Sequence, residues 1–388
     1  MYTKKWWMFL ALGSLVCIVL AGVVALNISV PLVPARASTA GNGGMIGVPR
    51  SWERQAPSLL QHMPPSLRAN LASSRSPITT IPFWSSSFTA NGTTYPFQMV
   101  GTDPALNLKK TRIKTEIIPL KLTFANGVTL DGTSKVRATL KSPIFKDTTF
   151  ASGKVQFGDA MQRAQFWNIV STKSPNYHVI LSKPHILPTI SLTVPGDLGQ
   201  VSTDPSTGTQ IGLVDNTWLD GQLQTLLAQL QIDPRSLPIF LDYNTFLYQD
   251  GDANTCCIFG YHNAITTQEG NGLSQIQTYI FAAYNDPNIF GSLPIEDINA
   301  LSHEVADWYS NPFGDNLVPS WQSDLAPQYG CSNALEAGDP LTGVAMTVNG
   351  YHPQDVAFLP WFAQQAPSAS FNGQYTYANT YTTPAQSC

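Results

Sequence analysis

The sequence predicts an α+β protein in two parts, a β-rich domain over residues 79–200 and a mixed helix–strand domain over 201–388. Three observations carry this. Residues 113–124 contain stretches in which apolar and polar side chains alternate, the period of a half-buried strand, and Asn126-Gly127 follows as a tight hairpin signal before Val128-Thr129-Leu130. From Trp218 the period lengthens: Trp218, Leu219, Gln222, Leu223, Leu226, Leu227 and Leu230 recur at helical spacing. Finally, only 12% of residues are charged, against 28 Gly, 29 Pro and 11% aromatics, a balance that suits a turn-rich extracellular protein better than a cytosolic helical enzyme.

The elements follow in order. Lys4 and Lys5 precede an apolar run from Trp6 to Leu26, and Ala35-Arg36-Ala37 resembles a cleavage site, so residues 1–37 read as a signal peptide, or as a membrane anchor over 6–27 if uncleaved. Everything after it is then exported: secreted, periplasmic or displayed at the cell surface. Residues 38–78, rich in Gly, Ser and Pro, read as a linker. Within 79–200, a helical pattern near 157–169 and strands near 177–181 and 190–194 join the hairpin; His178 and His185 read as structural or surface residues. Residues 200–210 are a hinge. A helix from Trp218 to Leu230, capped by Asp215 or Asn216, comes next. Strands are expected at 238–243, 257–262 and 278–284, and aromatic alternation at Tyr375-Thr376-Tyr377 predicts a terminal strand on the sheet edge. The net charge of −4 offers no footprint for nucleic acid.

The chemistry gathers on the last helix. Pro294, Glu296 and Asp297 favour its start, and Asn311-Pro312 stops it. Ile298, Leu301, Val305, Trp308 and Tyr309 form one apolar stripe. His303 and Asp307, four apart, stack on the other side with Glu304 beside them. Any solvent-facing helix also shows a polar face, but this one can offer two side chains to one metal ion and a carboxylate to a water. The turn-rich segment that follows returns to Glu336 and Asp339, bringing further carboxylates. His262, at the end of an expected strand, is placed to orient a substrate or stabilise an oxyanion, or simply to bond backbone. Four cysteines follow the leader, an even number that suggests two disulfides. A direct Cys256–Cys257 bridge is disfavoured by the closeness of neighbouring Cα atoms, so both are expected to pair with Cys331 and Cys388.

His303-Glu304-Val305-Ala306-Asp307, Ser310-Asn311-Pro312, Trp321 and Glu336-Ala337-Gly338-Asp339 resemble, in that order, the motif blocks of the exordium/phosphate-induced protein family and its bacterial secreted relatives. The resemblance covers about residues 300–340 and implies a zincin-like metal site on an extracellular protein; Asp307 stands where that family usually carries glutamate. Helix, small sheet and crossing helix is also the order zincins use. The expected function is a metal-dependent hydrolase, by that analogy a zincin-like peptidase: Zn2+ held by His303, Asp307 and Glu336, Asp339 supporting or replacing a ligand, and Glu304 activating water. A donor set with one imidazole also admits Ca2+ or Mn2+. The substrate would be a peptide or cell-surface polymer. The alternative is a non-catalytic cell-surface or wall-associated binding protein with a structural metal site. A glycosidase pairing Glu304 with Glu336 has only the carboxylates in its favour.

Overall fold

The computed structural model describes residues 78–106, 110–205, 207–268 and 274–388; the expected leader and nearly all of the linker lie outside them. The fold is mixed α+β, rich in sheet and poor in helix. Among the described residues no helix is long and apolar enough to cross a membrane.

The chain opens with the hairpin β1 (Phe83–Ala90) and β2 (Thr93–Val100), then enters the 14-residue strand β3 (Lys110–Thr123). The Asn126-Gly127 turn, with Gly127 at φ 82°, returns it as β4 (Thr129–Asp131), as the sequence predicts. A small hairpin, β5 (Thr148–Phe150) and β6 (Gly153–Val155), leads to helix α1 (Phe157–Gln165). Three short strands then run parallel to successive parts of β3: β7 (His178–Leu181), β8 (His185–Ile186) and β9 (Ile190–Thr193). Pro184 and Pro188 fall between them, and a residue without an N–H interrupts a continuous ladder there.

Strands β10 (Gly199–Thr203) and β11 (Gln210–Asp215) precede helix α2 (Asn216–Gln229), whose first turn is capped by Asp215 accepting from Trp218 N–H at 2.9 Å. Next come β12 (Ser236–Tyr243), β13 (Thr245–Tyr248), β14 (Gly260–Gln268), β15 (Ser274–Tyr284) and helix α3 (Asn299–Ser310). The main sheet is ordered β14-β15-β12-β3-β4, with β15 and β3 both parallel to β12 and β14 antiparallel to β15. A separate ladder joins β10, β11 and β13, and β16 (Leu317–Trp321) pairs with β17 (Ser332–Ala334).

The sheet is covered on both faces. Ile118, Leu120, Phe240 and Phe281 pack with Leu219, Leu223 and Leu226 of α2. Ile117, Ile239, Leu241 and Ile280 pack on the other side with Leu301 and Val305 of α3 and Phe157 and Ala160 of α1. Each of the large side chains among them, removed from water, contributes about 1.5–3 kcal/mol. Trp308 is wholly buried, and its indole N–H donates to Thr278 Oγ1 at 3.0 Å.

Several expectations need correction. The sheet does not follow a boundary at residue 200, because β3 from the first part is hydrogen-bonded directly to β12 from the second. Helix α3 starts at Asn299, later than Pro294 and the acids suggest, since Asp297 adopts φ 47° and turns its carboxylate to His352. The strand expected at 257–262 begins at Gly260. Tyr375–Tyr377 form no strand; Thr376 makes only an isolated bridge to Ala357. The cysteines pair as Cys256 with Cys257 and Cys331 with Cys388. The vicinal pair is joined across a cis peptide with Cα atoms 3.0 Å apart, so the closeness on which the expectation rested does not prevent the pairing.

Candidate metal centre

Helix α3 is buried on every side, so the face carrying His303, Glu304 and Asp307 looks into protein and not into solvent. That removes the surface-helix reading. The face lies against β14 and β15 on one side and against residues 336–339 and 352–354 on the other.

His303 Nδ1 lies 3.0 Å from Gln354 Oε1, and Gln354 Nε2 donates to the Gly338 carbonyl at 2.6 Å. The second bond fixes which way the amide points, because a carbonyl accepts only from the NH2 end. Its oxygen therefore faces Nδ1, which must carry the proton, and in the neutral ring Nε2 presents a lone pair. Nε2 points at two more acceptors: Asp307 Oδ2 at 3.0 Å and Asp339 Oδ1 at 3.4 Å. Neither oxygen makes a hydrogen bond of acceptable alignment, and both are sealed from solvent. Glu304 Oε1 is 4.0 Å from the same nitrogen. Ligand atoms of His303, Glu304 and Asp307 all lie within 4.8 Å of one another.

Three lone-pair donors aimed at one point would repel unless a cation or proton stood between them. The donor set, one imidazole and buried carboxylates, fits a divalent ion of intermediate to hard character. The other Asp307 oxygen accepts the Gly338 N–H, which orients the carboxylate. Backbone closeness makes Gly338 necessary there: a Cβ on it would lie 2.8 Å from His303 Nδ1. Gly260 plays the same part under Glu304, where a Cβ would stand 2.9 Å from Glu304 Cγ and 2.9 Å from the Phe281 carbonyl.

His262, on β14, sits on the far side of Glu304. Its Nε2 is 3.0 Å from the Asn311 carbonyl, a contact only an N–H can make favourably, and its Nδ1 is 3.6 Å from Glu304 Oε2. Glu336 is placed with His262: one oxygen accepts from Asn311 Nδ2 at 2.6 Å, and the other lies 3.9 Å from His262 Nε2. Of the two acids in the 336–339 turn, Asp339 is the one drawn against His303.

The electrostatics are those of a site short of positive charge. Burial alone would lower His303, but the carboxylates of Asp307 and Glu304 pull it well above the ordinary imidazole value. Burial likewise opposes protonation of His262, and Glu304 overcomes it. Glu304 and Asp339 are both pushed up by burial, against the lowering effect of His303. A bound cation would relieve all four.

Sequence reading missed Gln354 and the bonding role of Asn311. No local pattern marks Gln354 in His352-Pro353-Gln354, and Asn311 shows in sequence only as a helix stop. Among the described residues, His178 Nδ1 contacts Asp159 at 2.7 Å, His352 Nδ1 lies 2.9 Å from both Glu296 and Asp297, and His185 is exposed. Tyr309 donates to the Val179 carbonyl at 3.0 Å.

Comparison with known proteins returns no match, whether to family models, to curated proteins or to solved structures.

Proposed function

We propose that this chain is an exported, metal-dependent hydrolase of zincin-like plan, acting on a peptide or cell-surface polymer. The observation that carries the reading is the convergence of His303 Nε2, Asp307 Oδ2 and Asp339 Oδ1 with the ring proton held on the opposite nitrogen by Gln354. These three residues would hold Zn2+, with Mn2+ or Ca2+ as the harder alternatives for so anionic a set. When bound, such an ion supplies Lewis-acid polarisation.

Glu304 is the general base in this reading. Its Oε2 is buried without a hydrogen-bond partner, and His262 Nδ1 lies 3.6 Å from it. A proton taken by Glu304 is held between that oxygen and His262 Nδ1, while the His262 Nε2–H stays on the Asn311 carbonyl. Asn311 also fixes Glu336, so the helix stop and the acid–base pair share one anchor. The four-block resemblance to the exordium/phosphate-induced family supports the same reading by motif order alone. Export is supported by the two cysteine pairs.

One observation favours a second reading, a cell-surface or wall-associated binding protein with a structural metal site. His303 is only 10% exposed in its side chain, and Glu304, Asp307 and Asp339 are at 4% or less, so the centre is nearly closed to a polymer. One experiment tests both. Purified protein is analysed for bound metal, and wild type and Glu304→Gln are compared on a peptide library. Metal retained with cleavage lost in the variant supports the hydrolase. Metal without turnover in the wild type supports the structural site, and failure to bind any divalent ion overturns both.

A further inference from the structure

A groove of about 590 Å3 lies away from the metal centre, between β8 and the short helix Val136–Lys141, and the site described above does not use it. Val136 and Leu140, one turn apart on that helix, face Ile186 and Leu187 across it, and Ile186 is 37% exposed. Three cations line the same groove: Arg137, Lys141 and Lys146. All three are exposed, and none has an ion-pair partner among the described residues, although the whole chain is net acidic. Arg137 and Lys141 are four residues apart on one helix face, where like charges repel. The neutral polar side chains lining the groove are Thr133 and Thr189, and their hydroxyls are already bonded to each other at 2.8 Å.

From these features we infer that the groove binds a single-chain amphiphile with an anionic head, of the fatty-acid class. Its volume falls in the range of small-ligand sites. The apolar walls would take a methylene chain, and the three cations would take a carboxylate and relieve the repulsion between Arg137 and Lys141. A peptide fits less well, because Thr133 and Thr189, bonded to each other, leave one O–H between them for its backbone, while the three cations meet no charge on a neutral amide.

Calorimetric titration of the full chain with dodecanoate, kept below its micelle concentration, tests this. Saturable binding is expected, weakened at least tenfold in Arg137→Glu/Lys141→Glu and again in Lys146→Glu. All three positions are exposed, so an unchanged melting temperature verifies that the variants fold. Dodecyltrimethylammonium should bind at least tenfold more weakly than dodecanoate, since only the sign of the head differs. The inference is overturned if charge reversal leaves dodecanoate binding unchanged, or if the cationic analogue binds as tightly. It is also overturned if the wild type self-associates and the double variant does not, which would give the groove to a second copy of the chain.

Discussion

Replacing Gln354 with methionine keeps side-chain volume close while removing both polar ends. Two bonds disappear: the acceptor for the His303 Nδ1–H at 3.0 Å and the donor to the Gly338 carbonyl at 2.6 Å. The backbone bond from Gln354 N–H to Ser302 Oγ at 2.8 Å survives. The buried His303 Nδ1–H is left without a partner, at a cost of about 1–3 kcal/mol, whereas the Gly338 carbonyl keeps the Leu341 N–H at 3.0 Å, so metal-free stability should fall by about 1–3 kcal/mol. The ring also loses what selects its tautomer and orientation. Support of this kind is worth roughly 10–100-fold in metal affinity, about 1.4–2.8 kcal/mol. Urea unfolding in chelator measures the first effect, and zinc competition against a fluorescent chelator measures the second. A variant that is destabilised but binds zinc within threefold of wild type would refute the argument that Gln354 aims Nε2 at an ion.

Three further outcomes are expected. Burial raises Asp242 to about 8. Between an unfolded value near 3.8 and that point the folded chain holds a proton the unfolded chain has lost, so stability falls as pH rises through this window, by on the order of 5 kcal/mol. Asp242→Asn should flatten that slope in denaturant titrations at pH 5 and 8; an unchanged slope would show that Asp242 is not its source. Gly338→Ala puts a methyl 2.8 Å from the His303 ring and 3.1 Å from Gln354 Nε2, and should weaken zinc binding at least tenfold, whereas Gly221→Ala on helix α2, with open space at its Cβ, should leave zinc binding unchanged. Cys388→Ser opens a loop of sequence separation 57, and chain-entropy reasoning gives a loss of about 4 kcal/mol in unfolding experiments; a loss below about 1 kcal/mol would mean the tail adds little constraint.

Strands and helices whose own side chains repeat with a clear period were legible from sequence. Helix α2 falls close to where helical spacing places it, β4 follows the Asn126-Gly127 turn signal, β12 and β15 contain the apolar runs at 238–243 and 278–284, and β7 and β9 lie within the strands expected at 177–181 and 190–194. The His303/Asp307 pair on α3 was legible for the same reason, since four residues is one helical turn. What could not be read is what depends on distant chain segments. Gln354 reaches His303 across 51 residues, and nothing local distinguishes it from any loop glutamine. The same limit hid the burial of the α3 polar face, and with it the weight of the His-Glu-x-x-Asp pattern. The choice of Asp339 over Glu336 beside His303 depends on how one turn closes. The boundary near 200 marked a true change in local pattern, but strand pairing ignored it. Tyr375–Tyr377 alternate as a strand would, yet Tyr375 packs beside Trp361 and Phe362 without a neighbouring strand to complete a ladder.

Strand β3 has consequences beyond the sheet it centres. Residues 110–123 are touched by five partners, and one of them, β12, arrives more than a hundred residues later. A nascent chain must therefore keep this apolar segment unpaired on one side until most of the polypeptide has been made, a wait that favours chaperone capture and slow, late closure. A truncated product beginning at residue 201 would carry every proposed ligand and still lack the strand that its own β12 requires.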